Sequence, residues 1–574
     1  MTITETMLAV ARGDAPADLV IKNARVLDVF SGKMMDTSLA VTHGRIAGLG
    51  DYDGNTVCDV GGAIVVPGFI DAHVHIESSM TSVSEFVRAI LPRGTTAVVA
   101  DPHEIANVLG TAGIDYMLTS ANDQPMEVYF TLPSCVPATH METVGSPLTA
   151  DDLAPYFSHP RIVGLAEMMN FPGVMYGDPG VAAKLAAART AGKPMDGHAP
   201  GLSGLPLNAY LFPGIGSDHE CLTAAEALEK LSGGMHIMVR EGTCARNLEA
   251  IAPAITADTW HRMMWCTDDR HPHDLLDEGH VDAVVRKAIR LGIDPVTAVR
   301  MATLVPATWF RLDHHGAIAP GRRADFLVLS DLETVEVAAV YAGGRCVAEN
   351  GKLLSDVRLP KPPEPANTMN VKPGSIDFSM PAQAGEARVI RVTPSQVFTE
   401  TLWMVPRTEN GMILAEPDRD ILKIAVLERH TGSGRVGKGL VNGMGIRNGA
   451  LASSVGHDAH NIIVVGDSDA AMETAVRAVI DMGGGYAAVK GTAVAATVPL
   501  RIAGLMSTEP VETVRASLDA VLDVAASLGS PLPDPFMTLG FLALAVIPEL
   551  KITDHGLVDV DAFQVVPLFR ADAA

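Results

Sequence analysis

The sequence predicts an α/β protein whose central domain is a (β/α)8 barrel of the TIM type. Two observations lead to this prediction. Between residues 65 and 315, apolar runs recur about every 20 to 35 residues and alternate with helix-like stretches, which is typical of βα units around a parallel sheet. Eight such runs fit within roughly 250 residues, which is the usual size of a (β/α)8 barrel.

The eight apolar runs are predicted to form the strands of this barrel. Helical candidates such as SVSEFVRAILPRG and TAAEALEKLSGG lie between them. In chain order the runs are GAIVVPGFIDAHVHIE, TTAVVADPHE, VYFTLPSCVPA, IVGLAEMMN, KPMDGHAPG, PGIGSDHE, GGMHIMVREGT and HRMMWCTDDRH.

Segments with strand-like alternation flank the barrel on both sides. DLVIKNARVLDVFSG and LAVTHGRIAGLG precede it, and ADFLVLSDLETVEVAAVYAGGRCVAEN follows it. Alternation of apolar and polar residues between turn signals predicts short antiparallel strands. We therefore expect residues 1–64 and 316–358 to pair in one β-domain beside a barrel of residues 65–315.

A proline-rich stretch marks the end of this unit. Residues 359–373, LPKPPEPANTMNVKP, are predicted to form an extended linker. Beyond it, strand patterns such as ILKIAVLER and NIIVVGD accompany the amphipathic segment AAMETAVRAVIDMGGG. Residues 374–574 are therefore predicted to form a separate α/β domain.

Composition and charge narrow the class of partner. The formal net charge is -24, which argues against a nucleic-acid surface and favours a small-molecule substrate. The six cysteines form no CxxC pair, and the N-terminus lacks the pattern of a secretory signal. The apolar stretch FMTLGFLALAVIPEL is interrupted by Gly540 and Pro548 and is too short for a membrane helix. We expect a cytoplasmic protein with no membrane partner, and a large apolar barrel favours a homo-oligomer.

Ionisable residues follow the apolar runs, at the end of each strand where barrel active sites form. A single histidine in such a place is more often structural than a ligand, but these residues recur on successive strands. Imidazole and carboxylate ligands without thiolate suit Zn²⁺, Fe²⁺ or Mn²⁺. The set is large enough for two divalent ions, and it comprises His73, His75, Glu167, His198, His219 and Asp268.

Longer strings within the sequence resemble a known family. VVPGFIDAHVHIESSM, the later single histidines, the final aspartate and GAIAPGRRADFLVL resemble the amidohydrolase superfamily, whose barrel is flanked by a β-sandwich made from both chain ends. Within that superfamily, further strings resemble the adenine deaminases over nearly the whole chain after the first ~20 residues. These strings are DPHEIANVLG, VGLAEMMNFPGV, DGHAPGL, LNAY, MVREGTCARNL, CTDDRHP and SSVGHDAHNIIVVG.

The resemblance implies hydrolytic deamination of adenine to hypoxanthine and ammonia, in purine salvage, by a hydroxide that bridges two metals. It implies that His73, His75 and Asp268 hold one metal. His198 and His219 would hold the other, and Glu167 would bridge the two in place of the carboxylated lysine of many relatives. Asp268 is then the residue expected to take the proton of the hydroxide and pass it to the departing ammonia.

The residue that protonates the purine ring is less well defined by the sequence. Glu104 is the first candidate, and Glu220, Glu241 and Glu167 are the others. His103 is a further ligand, a residue that orients one, or a loop histidine. Four further residues have two interpretations each, a substrate or lid contact or a structural role, and they are Arg240, Asp269, His457 and His460.

Three other functions fit the same barrel. A cyclic amidase of the hydantoinase or dihydroorotase type would use the same metal chemistry, and a deaminase could act on another 6-substituted purine. A barrel without catalytic activity would serve as a scaffold, since fold alone does not fix function. The presence of Glu167 and the strings DPHEIANV and MVREGT favour an adenine deaminase.

Overall fold

The structure is a computed structural model that describes residues 3–394 and 396–570. The chain begins with a helix that Thr4 caps, followed by strands with alternating burial. In chain order these elements are α1 (Glu5–Arg12), β1 (Ala17–Asp28), β2 (Lys33–Thr42), β3 (Arg45–Leu49), β4 (Gly54–Asp59) and β5 (Ile64–Pro67).

Eight strands then form a parallel barrel, as the sequence predicts. Hydrogen bonds join the first five strands to one another and the last three strands to one another. Between these two groups, Gly216 N–H donates a hydrogen bond to Met195 O. A parallel bridge between Val74 and Asp268 closes the barrel. The strands are β6 (Phe69–Val74), β7 (Thr95–Ala100), β8 (Glu127–Leu132), β9 (Ile162–Met168), β10 (Met195–Gly197), β11 (Ser217–Asp218), β12 (His236–Arg240) and β13 (Met263–Cys266).

Helices cover the outside of the barrel, and the last of them contributes Val305 and Ala307 to the cluster inside it. Small and medium side chains from alternating strand positions, such as Ala72, Ala97 and Met238, fill this interior. The helices are α2 (Val83–Ile90), α3 (His103–Leu109), α4 (Thr111–Ser120), α5 (Ala150–Leu153), α6 (Phe171–Tyr176), α7 (Pro179–Thr190), α8 (Gly204–Leu211), α9 (Ala224–Ser232), α10 (Leu248–Ile251), α11 (Pro272–Asp277), α12 (Val281–Arg290), α13 (Pro295–Met301) and α14 (Leu304–Trp309).

The chain then returns to the first sheet. The returning strands are β14 (Phe326–Leu329), β15 (Val337–Ala342), β16 (Arg345–Glu349) and β17 (Lys352–Leu353). β14 pairs antiparallel with β5, and β5 pairs parallel with β1, so strands from both sides of the barrel share one sheet. Ile21, Val65 and Phe326 pack in the core that these strands enclose.

The C-terminal part is rich in strands and carries the additional α/β fold that the sequence predicts. Its largest sheet has the order β19-β18-β23-β22-β25-β24-β26-β27. Its elements are β18 (Ala387–Val392), β19 (Thr399–Met404), β20 (Thr408–Glu409), β21 (Met412–Ile413), β22 (Ile421–Leu427), β23 (Val436–Asn442), β24 (Gly449–Ser453), β25 (Ile462–Gly466), α15 (Asp469–Asp481), β26 (Gly485–Lys490), β27 (Ala493–Pro499), α16 (Val511–Ser527), α17 (Pro535–Phe541), β28 (Leu550–Thr553), β29 (Gly556–Asp559) and β30 (Gln564–Val566).

The C-terminal part packs onto the barrel face that carries the strand ends. Asp554 accepts hydrogen bonds from the backbone N–H and the hydroxyl of Thr143 on the barrel. A parallel bridge also joins Thr81 to Ser507. Within residues 3–394 and 396–570, no helix combines the length and the apolar character needed to cross a membrane.

Candidate functional site

Two histidines and an aspartate meet where the first and last barrel strands touch. The register of β6 shifts between Asp71 and Val74, which changes the alternation of its side chains near the strand end. Asp268 N–H donates to His73 O, and His75 N–H donates to Asp268 O. This pairing places Oδ1 of Asp268 3.2 Å from His73 Nε2 and 3.1 Å from His75 Nε2.

Glu167, at the end of β9, lies between this group and a second one. Its Oε1 is 3.2 Å from His75 Nε2. Its Oε2 is 2.5 Å from His198 Nδ1 and 3.3 Å from His219 Nε2. One carboxylate therefore contacts the imidazoles of both groups.

The two groups fit divalent metal ions in donor chemistry and spacing. Ligands bound at about 2.1 Å around one ion lie about 3 to 3.4 Å apart, and the separations of 3.1 and 3.2 Å around Asp268 fall in that range. Asp101 O accepts a hydrogen bond from His75 Nδ1, so the His75 Nε2 lone pair points to the site. Nitrogen and carboxylate oxygen donors suit Mn²⁺, Fe²⁺ or Zn²⁺.

Electrostatics keep both carboxylates charged, which is the form that binds a cation. Burial opposes ionisation of Glu167, but the charges of His219 and His198 hold its pKa well below the usual value. Burial likewise opposes ionisation of Asp268, and Arg240 is the largest influence that lowers its pKa.

Arg240 holds Asp268 from the side opposite the histidines. Its guanidinium donates to Oδ2 of Asp268 at 2.9 Å and grips both oxygens of Glu220. Glu220 Oε1 in turn lies 3.7 Å from His198 Nδ1 and 3.6 Å from His219 Nε2. Arg240 has the contacts of an ion pair with Asp268, and because it also lines the cavity, a contact with the substrate stays a prediction.

The loop after β7 brings a second cluster beside the first. Asp101 Oδ2 accepts from His103 Nδ1 at 2.9 Å, and the same nitrogen is 3.6 Å from Glu167 Oε1. Glu104 contacts two histidines of the C-terminal part: Oε1 is 2.8 Å from His457 Nδ1, and Oε2 contacts His460 Nε2.

In this cluster Glu104 is negatively charged and His457 is positively charged at neutral pH. Burial opposes ionisation of Glu104, but His457 and His460 hold its pKa well below the usual value. Burial also opposes the charged form of His457, but the Glu104 carboxylate raises the pKa of His457 to about 9. Glu104 is therefore an ionised hydrogen-bond acceptor at neutral pH.

Two other candidate residues, Glu241 and Asp269, are bonded to residues outside the two metal-binding groups. Glu241 turns away from the metal-binding groups, since Oε1 accepts from Leu248 N–H and Oε2 pairs with Lys287 Nζ at 2.7 Å. Asp269 accepts a hydrogen bond from the Ser78 hydroxyl.

A cavity of about 80 Å³ lies among these side chains. It shares lining residues such as His198 and Phe541 with a cleft of about 1380 Å³ between the barrel face and the C-terminal part. The C-terminal part supplies one wall of the cavity, which consists of Val397, His457, Asp458, Met537, Phe541, Leu544 and Ile547.

Comparison with known proteins gives the family. The amidohydrolase family model matches residues 64–347, and the model of the adenine deaminase C-terminal domain matches residues 396–564. An adenine deaminase of Desulfatibacillum aliphaticivorans is 53% identical over 568 residues, covering 99% of this chain and 100% of that protein. An adenine deaminase of Dehalococcoides mccartyi is 47% identical over 563 residues, covering 98% of both chains. The chain belongs to the adenine deaminase family.

A solved structure also aligns with this member of the adenine deaminase family. The crystal structure of an enamidase, described as a member of the amidohydrolase superfamily, covers 58% of this chain and 96% of its own. The sequence identity is 17% and the TM-score is 0.46.

Some residues of this adenine deaminase site could not be predicted from the sequence. Asp101, which orients His103 and accepts from His75, stands in the DPHE string and follows a strand like the other candidates. Its position after an apolar run was the available signal. Phe541 and Val397 lie in segments whose sequence carries no catalytic pattern, and only the docking of the C-terminal part brings them to the cavity.

Proposed function

We propose that this member of the adenine deaminase family hydrolyses adenine to hypoxanthine and ammonia with two divalent ions, Mn²⁺, Fe²⁺ or Zn²⁺. The observation that carries the proposal is the position of Glu167, whose two carboxylate oxygens contact different groups of histidines. Relatives named adenine deaminase, 46–53% identical over nearly the full length, support the choice of substrate.

His73, His75 and Asp268 would hold one ion, and His198 and His219 the other, with Glu167 shared between them. When bound, the two ions supply a hydroxide nucleophile near neutral pH. Addition of hydroxide at C6 of the purine also needs a proton acceptor and two proton donations, which the side chains must provide.

Asp268 is suited to carry a proton from the nucleophile to the departing amine. Arg240 engages Oδ2, so Oδ1 remains directed toward the histidines and the cavity. A carboxylate fixed in this way can accept a proton on the side of the incoming water and release it to the amino group as C6 becomes tetrahedral.

Ring protonation requires a further carboxyl group that faces the cavity. Glu104, Glu167 and Glu220 line it, whereas Glu241 pairs with Lys287. Replacement of each of the three by glutamine separates them, because the residue that donates this proton must shift the pH profile of kcat as well as lower kcat.

The experiment that tests the function uses purified protein loaded with Mn²⁺ or Zn²⁺ and incubated with adenine. We expect the ultraviolet shift from adenine to hypoxanthine and one ammonia released per hypoxanthine formed. Dihydroorotate and hydantoin serve as controls, and ring opening of either without ammonia release from adenine would replace the proposal by a cyclic amidase. The cytoplasmic location and the homo-oligomeric state remain predictions.

A further inference from the structure

We propose that Asp458 determines specificity in this site by accepting a hydrogen bond from the imidazole N–H of the purine. The residue would then select a free purine base over a purine substituted at N9. This inference rests on the proposed deamination of adenine, and it assigns a role to the C-terminal part that the hydrolytic chemistry does not require.

The carboxylate of Asp458 is buried, and one of its two oxygens has no donor among the described residues. The residue is 3% exposed, and Oδ2 has no hydrogen-bond partner among the residues that the structure describes. The two imidazoles beside it are too distant for a hydrogen bond, since Oδ1 is 3.9 Å from His103 Nε2 and 3.9 Å from His457 Nδ1. A buried acceptor without a donor is costly, and a ligand that supplies an N–H removes that cost.

Each neighbouring imidazole is already hydrogen-bonded through its Nδ1 atom. His103 Nδ1 contacts Asp101 at 2.9 Å, and His457 Nδ1 contacts Glu104 at 2.8 Å. Burial raises the pKa of Asp458 to about 6, so the carboxylate is mainly ionised at neutral pH and acts as an acceptor. Asp458 thus differs from Glu104, both of whose oxygens have partners.

The surroundings of Asp458 suit a flat heterocycle. The residue lines the same cavity as Glu167 and Asp268, and Phe541, Leu544 and Ile547 form an apolar wall of it. The Phe541 ring stacks on that of His457, with centroids 4.6 Å apart and planes at 13°. A cavity that combines apolar and aromatic lining with a buried acceptor matches a purine, whose faces are apolar and whose imidazole ring carries one N–H.

The position of Asp458 relative to Glu167 and Asp268 also fits a contact with the imidazole ring of adenine. The imidazole of His103 lies between Glu167 and Asp458. Its Nδ1 is 3.6 Å from Glu167 Oε1, and its Nε2 is 3.9 Å from Asp458 Oδ1. When C6 of adenine lies near Glu167 and Asp268, the imidazole edge of the base points away from them. Among the described residues that line the cavity, Asp458 offers a buried carboxylate oxygen without a hydrogen-bond partner.

The test uses the metal-loaded enzyme, with adenine and 9-methyladenine as substrates. 9-Methyladenine keeps the amidine that reacts but has no imidazole N–H. A site built to bind an N–H rejects an analogue that lacks it by roughly 10⁴-fold in kcat/KM. We expect a preference of this order for adenine in the unmodified enzyme. In Asp458→Ala the preference should fall below about 10-fold, because kcat/KM for adenine falls while that for 9-methyladenine does not.

Asp554→Asn is the matched control, because Asp554 is also a buried aspartate of the C-terminal part but is hydrogen-bonded to Thr143 outside the cavity. It should keep the preference for adenine. Asp458→Asn conserves shape and guards against collapse of the cavity. Its amide oxygen still accepts a hydrogen bond, so this variant should keep a reduced preference. Metal content and Tm are measured for every variant.

An unchanged preference in both Asp458 variants would overturn the inference. Loss of one metal equivalent in Asp458→Asn would instead make Asp458 a metal ligand with His103 and Glu104. If neither Asp458 variant folds, the inhibition constants of purine and 9-methylpurine are compared on the unmodified enzyme. Equal constants would refute the role of Asp458 as an acceptor for the imidazole N–H. Absence of ammonia release from adenine by the unmodified enzyme would refute the proposed function itself, and this result is distinct from the others.

Discussion

The carboxylate of Glu104 and the imidazole of His457 form a buried hydrogen bond of 2.8 Å between the barrel and the C-terminal part. The two residues are 353 positions apart in sequence. His460 contacts the other oxygen of the same carboxylate. The C-terminal part therefore completes the wall of the cavity and also neutralises a charge that the barrel buries.

Replacement of His457 by alanine should destabilise the protein strongly. The change leaves Glu104 with one imidazole partner in a buried place, and breaking a buried charged pair in this way costs about 3–5 kcal/mol. We expect a lower Tm in thermal unfolding and faster proteolysis within residues 359–373. His261→Ala, which removes an exposed histidine of the barrel, is the control and should change neither. An unchanged Tm in His457→Ala would show that the pair contributes little to docking.

Asp268→Asn should retain the fold and the barrel closure while removing most turnover. The amide keeps the backbone bridge to Val74 and a polar side chain, but it cannot carry a proton. Loss of a general acid–base residue lowers kcat by about 10²–10⁴-fold. The control is Asp282→Asn, since Asp282 is a buried aspartate that pairs with Arg286 at 2.7 Å on a barrel helix. Near-normal kcat in Asp268→Asn at full metal content would exclude the proton-carrier role.

Glu167→Gln should affect the binding of both metal ions, whereas His198→Asn should affect one. This difference follows because Glu167 contacts His75 through one oxygen and His198 through the other. After dialysis, elemental analysis should find about two ions per subunit in the unmodified protein, about one in His198→Asn and fewer than one in Glu167→Gln. Two full equivalents in Glu167→Gln would mean that this carboxylate is not shared between the ions.

The sequence was sufficient to predict the barrel and the convergence of its strand-end residues. Both follow from local rules, because parallel strands in a barrel present the same ends to one face, and His73 and His75 stand at the end of the first strand. The strands β10 and β11 are only three and two residues long, which follows the Gly and Pro content of KPMDGHAPG and PGIGSDHE.

The contacts across the cavity could not be predicted in the same way. The string SSVGHDAHN shows that His457, Asp458 and His460 are close to one another, but not what they touch. The partners are set by how the C-terminal part docks on the barrel, which depends on surface complementarity between segments far apart in sequence. The pairing of Glu104 with His457, and the lack of a hydrogen-bond donor for Asp458 Oδ2 among the described residues, therefore required the structure.

Glu142→Gln should stabilise the protein at alkaline pH and leave it nearly unchanged at pH 5. Burial, reinforced by the neighbouring carboxylate of Asp458, raises the pKa of Glu142 to about 8. A carboxyl whose folded-state pKa is raised stabilises the fold fully below the unfolded value, about 4.5, and this contribution is lost as the pH rises through about 8. Glutamine is neutral throughout and keeps the oxygen that accepts from Thr139 N–H at 2.9 Å.

The measurement is Tm between pH 5 and pH 9 for the unmodified protein and for Glu142→Gln. Glu249→Gln, in which the replaced side chain is exposed on α10, controls for a general effect of removing one negative charge. We expect the Tm difference between Glu142→Gln and the unmodified protein to grow by a few degrees from pH 5 to pH 9, because removing a charge from a buried site without a cationic partner saves its desolvation cost. The difference should be near zero throughout for Glu249→Gln. A Tm difference for Glu142→Gln that does not change with pH would show that Glu142 does not titrate in the folded protein over this range.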